Sequence, residues 1–348
     1  MKKFGIWAVA AALFFAPMGL SSCSMGSSAS EMRGNLNFTQ DDLSEKPFKA
    51  IDVDVIADVY YTQNDGNECS VKMDYSAIKD QEFVKKLKDK LKVVYRDGEV
   101  KIGLNGRLNV PSSYNNDNKR LKIYITSPDL VKITREGVGS FHAKTINSDR
   151  LEIDNEGVGT VKIGKILANK LEITNEGVGS VNIDDVAGDD MSIDNEGVGS
   201  VKISKIEMGS LKLDNEGVGS VSINKILANK LDVTNEGVGS VSIDDAKGDV
   251  MKIDNEGVGS VKVGNVAMGD LKVDNEGVGS VTLDFFKGGN LKINNDGVGK
   301  VSAKVDCQVL NVELDGVGGV HLSGVTGKYT RHKDGVGSIS DGGLKVGR

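Results

Sequence analysis

The octapeptide D-N-E-G-V-G-S-V, residues 194–201, decides the fold, because it returns unchanged at residues 214–221, 254–261 and 274–281. A looser form, Glu or Asp followed by Gly-Val-Gly, begins at nine evenly spaced positions, from Glu136 and Glu156 to Asp296. Two further copies follow at slightly shorter steps, at Asp315 and Asp334. A fixed period of roughly 20 residues is typical of a solenoid, in which each repeat forms one turn.

Within each repeat, apolar and polar residues alternate, as in L-E-I-D-N at residues 151–155 and V-K-I at residues 161–163. This alternation is the period of a half-buried strand. Helical periodicity is absent from residue 131 onward, and so is the Leu/Asn pattern of leucine-rich repeats. We therefore predict an all-β fold, a parallel β-helix with one rung per repeat. Each rung is expected to contain three short strands and three corners.

One polar position shares the inward parity of the core positions in every rung. Stacked side-chain amides there can hydrogen-bond along the axis, as in other stacked-strand structures. The predicted structural ladder consists of Asn155, Asn175, Asn195, Asn215, Asn235, Asn255, Asn275 and Asn295. We expect the glycines beside this ladder to supply positive φ angles at a tight corner.

The acidic residue that opens each Gly-Val-Gly faces solvent, with like charges about 5 Å apart on neighbouring rungs. Carboxylate oxygens suit calcium, so a calcium-binding edge is one hypothesis. The calcium-roll nonapeptide is absent, and a solvated acidic face is the alternative. The candidate metal ligands are Glu156, Glu176, Asp184, Asp185, Asp189, Asp190, Asp194 and Glu196.

The N-terminus has the layout of a secretory signal: a basic start, an apolar run over residues 4–20, and L-S-S-C ending at Cys23. It resembles a bacterial lipoprotein signal, which implies cleavage after residue 22 and a membrane anchor through lipid on Cys23. Loss of Lys2 and Lys3 leaves 41 basic and 50 acidic side chains, a net charge of −9. That charge argues against nucleic acid as a partner.

The remaining chain divides by composition. Residues 23–46 are Ser-rich and polar, and we expect a lipidated Cys followed by a flexible tether. Residues 47–130 carry most of the aromatic side chains and an amphipathic helix over residues 77–92. We interpret them as an N-terminal β cap with an exposed loop at 111–118, continuous with the repeat β-helix at 131–340. Two cysteines remain, Cys69 and Cys307, too few for a disulfide framework.

Three motifs resemble the putative auto-transporter adhesin family with the head GIN domain: F-K-A-I-D-V at residues 48–53, L-K-I-Y-I-T-S-P-D-L-V-K-I at residues 121–133, and the G-V-G-S-V corners. The resemblance implies a right-handed parallel β-helix in a bacterial envelope protein, often a lipoprotein, with no catalytic residues to carry over. A literal Gly-Ile-Asn is missing, and the nearest match is Gly103-Leu104-Asn105.

These features favour a non-enzymatic, lipid-anchored rod of the outer membrane. It is a candidate adhesin or surface-contact protein whose partners are glycans or surface proteins. A calcium-binding acidic rod is the first alternative. A polysaccharide-acting enzyme is the second, since parallel β-helices often host such activities. Acid/base catalysis needs a locally unique group of side chains, whereas the carboxylates here repeat from rung to rung.

Overall fold

The computed structural model describes residues 30–115 and 119–347. It is 70% strand and forms a parallel β-solenoid of about 11 turns with rungs of about 20 residues, which confirms the predicted fold class. The signal segment 1–22 and Cys23 lie outside the described residues. Among the residues that are described, no helix is long and apolar enough to cross a membrane.

The N-terminal part contains eight strands and one α-helix: β1 Ser30–Asn35, β2 Ala50–Asp54, β3 Ala57–Gln63, β4 Ser70–Asp74, α1 Gln81–Lys90, β5 Leu91–Arg96, β6 Glu99–Val110, β7 Leu121–Ser127 and β8 Lys132–Arg135. The repeat part contains twelve strands: β9 Val138–Asn155, β10 Val158–Asn175, β11 Ser180–Ala187, β12 Asp190–Asn195, β13 Ser200–Asn215, β14 Ser220–Asn235, β15 Ser240–Asn255, β16 Val261–Asn275, β17 Val281–Asn295, β18 Lys300–Leu314, β19 Gly319–Lys333 and β20 Ser338–Val346.

Neighbouring rungs pair in parallel one repeat apart along the chain, so that Val201 lies beside Val221 and Asn215 beside Asn235. The alternation seen in the sequence places every second side chain inside, and Val201, Ile206 and Leu213 are fully buried. The prediction of three short strands per rung needs correction. Most rungs form one strand of 15 to 18 residues, because hydrogen bonding to the adjacent rungs continues around the bends.

In the cap, the strands that lie side by side are not consecutive along the chain. β2 lies between β6 and β8, and β3 lies between β7 and β9, all in parallel. Antiparallel β4 and β5 then pair with β7 and β6 and cover the open end. Helix α1 is capped at its N-terminus by Asp80, whose carboxylate accepts a hydrogen bond from the Phe83 amide, and it buries Phe83, Val84 and Leu87. It is shorter than the predicted 77–92, because the chain becomes extended from Leu91.

Two expectations for the polar segments are corrected. Part of the expected tether is folded: β1 pairs with β6, and the Asp42 carboxylate, 7% exposed, accepts a hydrogen bond from Arg96 at 2.6 Å. That hydrogen bond lowers the pKa of Asp42. The expected loop at 111–118 also includes a buried anchor, since the Tyr114 hydroxyl donates to the Ile56 carbonyl at 2.7 Å.

The corner glycines have a different role from the one expected. Among the corner glycines of the described rungs, only Gly139 has a positive φ angle. The others are needed because the rungs touch there: a Cβ on Gly219 would lie 1.7 Å from the carbonyl oxygen of Gly199. Close approach of backbones, and not left-handed geometry, excludes larger residues from these corners.

Candidate functional site

The repeated corner presents three parallel columns of side chains along one edge of the rod, which we call the corner edge. Alternation brings every second residue outward, so acidic, Val and Ser positions face solvent while the two glycines are buried. The rung at Glu216, Val218 and Ser220 is typical. The acidic column runs from Glu136 to Asp334, and each member marks one rung.

A ladder of buried amides supports this edge from inside. Each Asn Nδ2 donates to the Asn Oδ1 of the next rung at 2.7 or 2.8 Å, from Asn155 through to Asn295. The backbone carbonyl of Asn195 also accepts the amides of Glu216 and Gly217, both at 3.0 Å. Side chain and backbone together therefore hold each corner in register with the one below.

Arg135 stands in register with Asn155, one rung before the ladder begins. It is 2% exposed, and its Nη1 donates to the Val53 carbonyl at 3.4 Å. Burial lowers the pKa of its guanidinium to about 10. The negative charges of Asp58, Asp52 and Asp54 act in the opposite direction and raise that pKa. The position marks the change from cap to regular rungs.

Most members of the acidic column have no ion-pair partner among the described side chains. Among the described residues, the members of the column from Glu156 to Glu276 form no ion pair with any Lys or Arg, and the nearby Lys262 pairs with Asp284 instead. Partial burial raises the pKa of Glu196, and its neighbours Glu176 and Glu216 raise it further. The adjacent face differs, because three Lys-Asp pairs lie on it: Lys212, Lys252 and Lys272 pair with Asp214, Asp254 and Asp274.

The valine column is the feature that sequence reasoning missed. The side chains of this column from Val178 to Val317 are 59% to 63% exposed, and Val336 is 85% exposed. Open grooves of about 660 and 460 Å³ run beside it, lined mainly by these valines, the corner glycines and the serines. The sequence does contain a signal for this column. Each Val lies two residues after an outward-facing acidic residue, and residues two apart on a strand face the same side.

The predicted metal ligands do not converge. No three of them have ligand atoms within 4.8 Å of one another in the described structure. Asp184, Asp185, Asp189 and Asp190 are exposed, and Asp185 lies in register between Lys165 and Lys205. Within the described part of the chain, the group that does converge is Asp315, His332 and Asp334, all exposed, on the last two corners.

A second cluster lies where the cap meets the first rung. Asp54, Lys101 and Glu136 line an open cleft of about 550 Å³ together with Arg33 and Arg107. Burial, followed by the charges of Glu136 and Asp52, raises the pKa of Asp54 to about 7. Lys101 pairs with Asp52 and lies 3.8 Å from Glu136. This is the locally distinct arrangement of charges that the uniform rungs lack.

Comparison with protein families gives one match. The family model described as "Putative auto-transporter adhesin, head GIN domain" matches residues 47–244, more than half of the chain. The match spans the cap and the first rungs, including Arg135 and the start of the Asn ladder. No curated protein matches the chain.

Several solved structures are similar over most of their length. A putative adhesin from Bacteroides fragilis NCTC 9343 is 18% identical, with 90% of this chain and 97% of that chain covered and a TM-score of 0.34. One from Parabacteroides distasonis ATCC 8503 is 14% identical, with 90% and 95% covered and a TM-score of 0.38. A putative lipid binding protein from the same strain is 16% identical, with 90% and 96% covered and a TM-score of 0.29.

Proposed function

Because the chain belongs to the family of putative auto-transporter adhesins with a head GIN domain, we propose that it is a non-enzymatic rod, lipid-anchored at Cys23 in the bacterial outer membrane, that makes adhesive contacts. The observation that carries the proposal is the corner edge, where the same exposed acidic, Val and Ser side chains recur on successive rungs. Such an edge suits many weak, identical contacts with a repetitive partner such as a glycan or a surface protein, since linked contacts reinforce one another.

Deleting residues 196–255 tests this proposal. The deletion joins Asn195 to Glu256 and removes three whole rungs, so the Asn ladder and the corner pattern continue across the junction. We expect a folded, shorter rod whose binding to envelope or host glycans weakens about tenfold or more, because multivalent binding depends steeply on the number of contacts. Binding is measured on a glycan array and folding by circular dichroism.

The result separates two contact surfaces. If adhesion is unchanged in the deletion variant, the contact belongs to the cap and not to the corner edge. A separate variant, Cys23→Ala in the full-length chain, tests the anchor and is expected to abolish incorporation of a labelled fatty acid in cells. Labelling equal to that of the parent chain would contradict lipid anchoring.

A calcium-binding acidic rod remains the second candidate, favoured by the lack of Lys or Arg partners for the described acidic column from Glu156 to Glu276. We expect the unfolding midpoint in millimolar calcium to match that in EDTA, because the predicted ligands do not converge. Circular dichroism suits the measurement, since the only tryptophan is Trp7 in the signal segment. A midpoint several degrees higher in calcium, but not in sodium of equal ionic strength, would establish cation binding.

A further inference from the structure

The valines of the corner edge form a continuous apolar strip, the valine ridge, from Val178 to Val336. Nine side chains lie one per rung, at least 59% exposed, over roughly 38 Å at about 4.8 Å per rung. Folding does not require an apolar group here, because Thr has the same β-branched shape and the position points to solvent. Contiguous exposed apolar surface of this kind marks an interaction site.

The spacing of the ridge limits what can cover it. A partner fills the gaps between successive valines only if its own apolar groups recur at the same interval of about 4.8 Å along the axis. A second copy of this chain meets that condition, because its rungs are the same. Identical side chains that interdigitate at this spacing form the dry contact seen between stacked strands in steric zippers.

The charge pattern selects an orientation. On one side of the ridge runs the acidic column, and on the other run the serines, followed by a mostly uncharged column that carries Lys202 and Lys262. A half-turn about an axis parallel to the rods, with a shift of half a rung so that the valines interdigitate, places the acidic column of one copy against the Ser side of the other. A two-fold axis perpendicular to the rods places the two acidic columns against each other, where like charges repel.

We propose that two copies pair side by side through the valine ridge, with both rods pointing in the same direction. The contact strip is roughly 38 Å by 15 Å, or roughly 600 Å² on each copy, which is smaller than the ~800 Å² per partner of a standard interface. The dimer is therefore weak in solution. Both N-termini lie at the same end, so two chains anchored in one membrane meet at high local concentration; this last step rests on the proposed lipid anchor, whereas the pairing itself does not.

Sedimentation equilibrium on the soluble chain from residue 24 onward, which contains the whole described fold, tests the pairing. We expect reversible dimerisation, weakened about tenfold or more in the triple variant Val218→Thr, Val238→Thr and Val258→Thr. The matched control is Val250→Thr, because Val250 is 45% exposed on a different face of the same solenoid. A chain that stays monomeric at millimolar concentration, or a triple variant that dimerises like the control, overturns the proposal.

Cysteine cross-linking tests the orientation separately from adhesion. Two single variants, Val198→Cys and Val317→Cys, are made in a chain that also carries Cys69→Ser. Each variant is oxidised alone, and the two are then oxidised as a mixture. Cys307 is buried and is left unchanged. Parallel rods predict that each variant cross-links to itself. Antiparallel rods would cross-link only in the mixture, which overturns the orientation. Glycan binding by the Val218, Val238 and Val258 variant shows whether adhesion fails independently of pairing.

Discussion

Replacing Gly219 with Ala is expected to destabilise the rod by about 3–5 kcal/mol, one of the largest effects of any conservative change. The added Cβ would lie 1.7 Å from the carbonyl oxygen of Gly199, so the two rungs have to move apart. The same movement lengthens the hydrogen bond from the Asn195 amide to Asn215. We expect the midpoint of thermal unfolding, measured by circular dichroism, to fall by about 10 °C.

Two other glycines of the same solenoid provide a graded control. A Cβ on Gly209 would lie 2.9 Å from the Asp189 carbonyl oxygen, and a Cβ on Gly342 would have no heavy atom within 4 Å. Gly209→Ala should therefore cost less than Gly219→Ala, and Gly342→Ala should stay within about 0.5 kcal/mol of the parent. Equal losses at all three positions would contradict the close-approach explanation.

Replacing Asn215 with Asp is expected to cost about 3–5 kcal/mol at pH 8, although the two side chains have nearly the same shape. Asn215 is fully buried, accepts from Asn195 and donates to Asn235, both at 2.7 Å. An ionised Asp still accepts from Asn195, but its second oxygen faces the Asn235 oxygen with no proton between them. The buried charge adds to the cost.

The loss should shrink as the pH falls. Burial and the facing oxygen raise the pKa of the introduced Asp in the folded state, so the folded variant binds a proton more readily than the unfolded chain. Stability relative to the parent therefore rises as the pH drops below that raised pKa. Asn224→Asp, at an exposed position of the same rung, is the control and should be nearly neutral. Urea unfolding at pH 8 and pH 5 gives both values.

Sequence and structure agree best where the pattern is local. Parity alone predicts that the Asn residues face the interior, and they form a buried ladder, because alternation along a strand fixes which side chains face inward. The same rule applied to Val218 would have revealed the exposed ridge. Hydrophobicity alone gives the opposite expectation, because an apolar residue is expected inside, whereas here the inward positions are taken by the two glycines that flank Val218.

The cap was harder to predict, for a physical reason. β2 begins at Ala50, whereas β6 and β8, the strands on either side of it, begin at Glu99 and Lys132. A local pattern identifies these segments as strands but carries no information about which of them become neighbours. The cleft at Asp54, Lys101 and Glu136 depends on that pairing, so the sequence alone did not reveal it.

Uniform rungs also create an ambiguity during folding. A rung that docks one repeat too far along still pairs Asn with Asn and Val with Val, and merely leaves a single repeat looped out. The cap removes this ambiguity at one end, because β2 and β3 accept only β8 and β9 on their free side. Assembly that starts at the cap and adds one rung at a time has a single correct register at every step. The irregular N-terminal segment thus fixes the register of the first rung, and through it the register of every identical rung that follows.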